Sequence, residues 1–134
     1  MSTHQQEKAD WRRLLRSAGP YPPEAFSFVQ EGLTYTAEKV HGEIEEQPEI
    51  DRHVSGQQLC LGLRDFAITQ YGLMAPAVLE HWNIRRTEDF GRIVFSMVSA
   101  GLMSSTDEDT MESFRGVFDF AEAFCEDELL SHLN

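Results

Sequence analysis

The chain has 134 residues, a length suited to one compact domain that closes its core without disulfide or metal staples. Lys and Arg number 11 against 23 Asp and Glu, a formal charge of −12, so most of the surface repels a polyanion such as duplex nucleic acid and suits a basic protein partner. Cys60 and Cys125 lack the close spacing of a redox or zinc pair, and there is no signal-peptide core or long apolar run; reduced thiols, a cytoplasmic location and no membrane span are expected, with a disulfide as the alternative.

Charge is unevenly distributed. Residues 1–20 carry Lys8, Arg12, Arg13 and Arg16 against Glu7 and Asp10, which leaves −14 for the rest of the chain. Trp11, Leu14, Leu15 and Ala18 recur at helical spacing and predict an amphipathic helix from about Glu7 to Ala18. Arg12 and Arg16 lie one turn apart on its polar side with Arg13 nearby. A solvated helix face is the plain reading, an anion or RNA contact the sharper one.

Gly19-Pro20-Tyr21-Pro22-Pro23 ends that helix, because proline lacks a donor and forces the residue before it into extended backbone. Pro23 suits the first position of the next helix, and Glu24 suits its positive end. Phe26, Val29, Leu33, Thr36 or Ala37, and Val40 carry the helix to His41-Gly42, with Tyr21, Phe28 and Tyr35 broadening its buried face. Glu43 to Asp51 contains five acids, no base and Pro48, which reads as a solvated linker; it lacks the spacing and central glycine of an EF-hand.

Ser55 and Gln58 have the spacing of a capping box, with Val54 placed to staple against Leu59, and predict a helix from Gly56 to about Tyr71. Leu59, Leu63, Phe66, Ala67 and Gln70 or Tyr71 form its core stripe, and Gly72 ends it. A shorter helix, Ala75 to Trp82, follows with Val78, Leu79 and Trp82 inward; His81 and Trp82 point to different faces. After the Asn83-Ile84-Arg85-Arg86 turn, Thr87 is expected to cap the most apolar helix of the chain, with Glu88 and Asp89 in its first turn. Phe90, Ile93, Val94, Met97, Val98 and Gly101 or Leu102 line one side, leaving Arg92, Ser96 and Ser99 as the exposed strip. Gly91 costs helix propensity of about 1 kcal/mol relative to alanine, which implies close packing by a neighbour.

The shared parity of Phe114, Phe118 and Phe120 predicts a short strand paired with residues 102–106 in a β-hairpin, its tip the acidic run Asp107-Glu108-Asp109. A helix from Thr110 to Phe118 is the competing reading. Residues 121–133 form a short helix or a fraying tail. The result is a mainly α fold with minor β: a helical bundle containing a winged-helix-like helix-helix-helix-hairpin unit. Residues 1–20 form a basic helix or arm, 21–124 a single compact domain and 125–134 an acidic tail.

In DNA-binding winged helices the third helix enters the major groove. Here that helix and the wing tip would present Glu88, Asp89, Asp107, Glu108 and Asp109 to phosphates, which argues against duplex binding. Arg12, Arg13, Arg16, Arg85, Arg86 and Arg92 are the candidate partner contacts. The five histidines form no metal-ligand spacing, no serine sits in a nucleophile elbow, and no glycine-rich loop follows a strand, so no catalytic residue, metal or cofactor is expected. An acidic run such as Asp107 to Asp109, with Glu112 beyond, reads as a solvated loop before it reads as a weak cation site.

Tyr21-Pro22-Pro23-Glu24-Ala25-Phe26, Phe28-Val29-Gln30-Glu31, His53-Val54-Ser55-Gly56, Arg64-Asp65 with Ala67, Val78-Leu79 and Trp82, Thr87-Glu88-Asp89-Phe90-Gly91 with Ile93-Val94-Phe95, and Asp119-Phe120 with Ala123-Phe124 resemble a family of small uncharacterised bacterial proteins. That family has no assigned activity, so the resemblance implies no catalytic residues. The functional expectation is a cytoplasmic, non-catalytic interaction module that meets another protein, a basic one or a second copy of itself. One alternative is a nucleic-acid-associated regulator using the basic N-terminal helix. Another is an enzyme with a fold-assembled site near His53, using Glu31 or Asp65.

Overall fold

A computed structural model of the chain describes residues 1–3, 11–16, 19–42 and 53–132. The fold is mainly helical, as expected. Its helices are α1 (Trp11–Arg16), α2 (Pro23–His41), α3 (Gly56–Tyr71), α4 (Ala75–His81), α5 (Thr87–Ser99), α6 (Phe120–Ala123) and α7 (Glu126–His132). Short 3-10 turns occupy Gly72–Met74 and Met111–Phe114. The predicted acidic linker and the outer ends of the first helix lie outside the described residues. No described helix is long and apolar enough to cross a membrane.

The predicted starts of α2 and α3 have clear local causes. Pro23 opens α2 with Glu24 in the first turn. Ser55 Oγ accepts from Gln58 N at 3.1 Å while Ser55 N donates to Gln58 Oε1 at 2.8 Å, completing the capping box of α3. Helices α2 and α3 lie against one another and against α5, burying Phe26, Val29, Leu33, Leu59, Leu63, Phe90, Ile93, Val94 and Met97. Val40, the last position of the predicted α2 stripe, is instead exposed.

Thr87 does not cap α5, as expected from sequence, but opens it. Its hydroxyl is buried, donating to Phe114 O at 2.6 Å and accepting from Val117 N at 3.2 Å. Asp89, third residue of the helix, reaches back over its start: its Oδ2 accepts from the N-cap Arg86 N at 3.1 Å and from Arg85 N, one residue earlier, at 2.8 Å. The predicted close neighbour of Gly91 is Phe114: a β-carbon on Gly91 would lie 2.9 Å from the Phe114 ring.

The predicted hairpin does not form. Met103–Ser104 (β2) pairs antiparallel with Ser2–Thr3 (β1), in the register Ser2 to Ser104 and Thr3 to Met103. Residues 114–120 are neither a strand nor a continuous helix. Met111–Phe114 turns inward onto α5, Gly116 takes φ 54°, and Val117 N is claimed by Thr87. Alternation among the phenylalanines has another origin: Phe118 stacks on Phe120 at 5.3 Å, and Phe124 meets Phe120 edge-on at 5.3 Å. The helix-helix-helix order is therefore present without a wing. Met1, Leu14 and Leu129 all belong to the core, so the predicted arm and tail contribute to the same hydrophobic interior as residues 21–124.

Candidate functional site

The proline-led start of α2 brings Pro23, Glu24, Ser27, Phe28 and Glu31 onto one helical face, beside Tyr71 at the end of α3 and Trp82 just beyond α4. Together they line a cleft of about 310 Å³. Phe28 and Trp82 are almost fully buried and form its floor, Tyr71 is half-buried at its side, and Glu24, Ser27 and Glu31 are exposed at its rim. The ring centroids are 5.5 Å apart for Phe28 and Trp82, 6.3 Å for Phe28 and Tyr71, and 5.9 Å for Tyr71 and Trp82, the last pair edge-on at 81°. The row continues through Phe66 to Tyr35, over whose ring Lys39 Nζ sits at 4.7 Å.

An aromatic floor beneath carboxylates has a definite chemistry. Ring faces carry negative electrostatic potential that attracts cations, and partial exclusion of water strengthens the attraction of a nearby carboxylate. Neither Glu24 nor Glu31 makes an ion pair among the described residues. By spacing alone Phe28 broadens the buried face of α2, Gln70 or Tyr71 closes the α3 stripe, Trp82 faces inward and Glu24 is a first-turn acid. The one-dimensional signal was the spacing of Glu24, Phe28 and Glu31 on a single stripe; convergence of that stripe with two helix ends is tertiary.

Arg12 and Arg16 are exposed on α1, with the Arg13 side chain outside the description. Arg85 and Arg86 are exposed beside the start of α5, and Arg85 Nη1 donates to Asn83 Oδ1 at 3.3 Å. Arg92 is 57% exposed, yet its guanidinium donates to Asp89 Oδ1 at 2.8 Å. The buried Asp89 carboxylate also accepts from the Tyr21 hydroxyl, and burial followed by that bond raises the Tyr21 phenol above its ordinary value. Arg85 and Arg92 thus serve the α4–α5 turn.

His53 is not brought to Glu31 or Asp65. Its Nε2 lies 3.1 Å from Asp109 Oδ2 and 3.0 Å from the Met1 amino group, which also donates to Val54 O; Asp65 instead pairs with Arg64 at 3.2 Å. Burial alone would raise the Asp109 carboxyl, but the Thr106 N–H, the Met1 ammonium and His53 together hold it below its ordinary value. The acidic run is divided accordingly: Asp107 and Glu108 face solvent while Asp109 turns inward and accepts from Thr106 N at 2.8 Å. Among the described residues no group of three or more His, Cys, Asp or Glu is placed to hold a metal ion. Compared with family models, curated proteins and solved structures, the chain has no match.

Proposed function

We propose that this chain is a cytoplasmic, non-catalytic interaction module whose acidic surface receives a basic protein. The observation that carries the reading is the cleft beside α2, where Glu24 and Glu31, which make no ion pair among the described residues, stand at the rim above three aromatic rings. The net charge of −12 supports it by attracting a basic partner over a longer range than any single contact. The succession α3, α4, tight turn, α5 supports a winged-helix-like scaffold stripped of its wing. Membership of the small bacterial family that the sequence resembles belongs to the same proposal. A basic partner is favoured over nucleic acid because Arg85 and Arg92 already serve internal contacts and acids flank them.

Affinity capture from a bacterial lysate, with reciprocal purification and calorimetry on each captured protein, tests this reading. The expected result is a saturable complex with a basic protein that weakens as salt rises. Recovery of no stoichiometric partner, or of nucleic acid alone, overturns it.

A further inference from the structure

We propose that the cleft between α2, Tyr71 and Trp82 receives an arginine side chain of the basic partner. This deepens the interaction-module reading and rests on it. The row of rings running Trp82, Tyr71, Phe28, Phe66, Tyr35 is already topped by a cation at one end, where Lys39 stands over Tyr35 at 4.7 Å. Among the described residues Arg64 stands over Phe118, and no cation stands over Tyr71 or Trp82. At that open end the cleft provides about 310 Å³ and two rim carboxylates that make no ion pair among the described residues.

Arginine fits this chemistry better than lysine. Its guanidinium is planar and weakly hydrated, so it stacks on an aromatic face and still presents its edge to a carboxylate as a two-pronged donor. A ring's face is its negative side and its edge its positive side, so with Tyr71 and Trp82 meeting at 81° a flat cation stacks on one of the two faces and turns its N–H edge to a rim carboxylate. Glu24 and Glu31 are two turns apart on α2, about 10 Å along the axis at 1.5 Å per residue. One guanidinium therefore pairs with one carboxylate, and a second basic residue of the same segment reaches the other. The occupant is an extended stretch with two neighbouring arginines, one inserted and one at the rim.

The test uses the full chain with an acetylated, amidated (Gly-Arg)4 peptide, followed by amide and indole NMR. Expected are saturable shifts at the Trp82 indole N–H and at the amides of residues 24–31 and 71. A citrulline counterpart, isosteric but uncharged, binds about fivefold or more weakly, and so does the Glu24→Gln/Glu31→Gln variant. Those two side chains are exposed, so the variant retains its fold, verified by an unchanged melting temperature. Tyr71→Leu supplies the aromatic control. Peptide binding that leaves Trp82 unshifted, or that is unchanged in the Gln variant, overturns the cleft assignment while leaving the acidic-surface module standing. Absence of binding to the peptide at millimolar concentration also overturns the cleft assignment, and the module reading then stands or falls on the captured partner.

Discussion

At Gly91 any β-carbon would lie 2.9 Å from Cγ of the fully buried Phe114, a ring that also meets Phe95, one turn further along α5, edge-on at 6.0 Å. Gly91→Ala gains the helix propensity of alanine, worth about 1 kcal/mol, and loses more through overpacking. The expected net effect is destabilisation by about 1–3 kcal/mol, read as a lower urea midpoint. The glycine was legible as a packing signal because it stands where a helix former is expected; its neighbour was not, since Phe114 arrives from a separate turn. Asp89 is a sharper case. Its carboxylate satisfies two backbone donors, Tyr21 and Arg92, so Asp89→Ala should cost about 2–3 kcal/mol by the same measurement, whereas Arg92→Ala, removing a half-exposed partner, should cost less than about 1 kcal/mol. The cysteines differ in the same manner: burial, then the charge of Glu88, pushes the Cys60 thiol up to about 12, while Cys125 is exposed and both are free. A disulfide-exchange reagent at pH 8 should therefore label one thiol per native chain and two after denaturation, with Cys125→Ser abolishing the native reaction.

Elements with local causes follow the sequence closely. The starts of α2 and α3 are set by Pro23 and by the Ser55–Gln58 box, both of which act over a few residues. The region after α5 does not follow, because phenylalanines at alternate positions are compatible both with a strand and with a cluster folded on itself. Here Thr87 decides, by taking the Phe114 carbonyl and the Val117 amide away from any ladder. Strand β2 turns to the N-terminal segment instead, and Asp109 with His53 and Met1 closes that junction. The lowered Asp109 pKa gives this junction a pH signature. Its carboxylate contribution is fully present above the ordinary value of 3.8 and is lost as pH falls through the lower folded value. The wild-type chain should exceed Asp109→Asn by about 1 kcal/mol at pH 7, and the gap should close below pH 4, as followed by denaturation at a series of pH values.

For the whole molecule the surplus of acids governs encounters. A mobility shift with duplex DNA at low salt should show no complex at micromolar protein, and Arg12, Arg13 and Arg16 changed together to Glu should leave that result unaltered; a salt-sensitive shift abolished by the substitutions would restore the N-terminal helix as a nucleic-acid contact. Fold class was legible because helical periodicity is written along the chain. The cleft was not, because its three rings come from three different elements and read singly as core. Trp82 and Tyr71, edge-on at 5.9 Å, have one further consequence. Light absorbed by the phenol passes efficiently to so close an indole, so tyrosine emission from this pair is quenched in the folded chain and returns on unfolding. A guest settling over the indole alters the colour and yield of its emission, so with Trp11 replaced by Phe the protein reports occupancy of its own cleft without a dye.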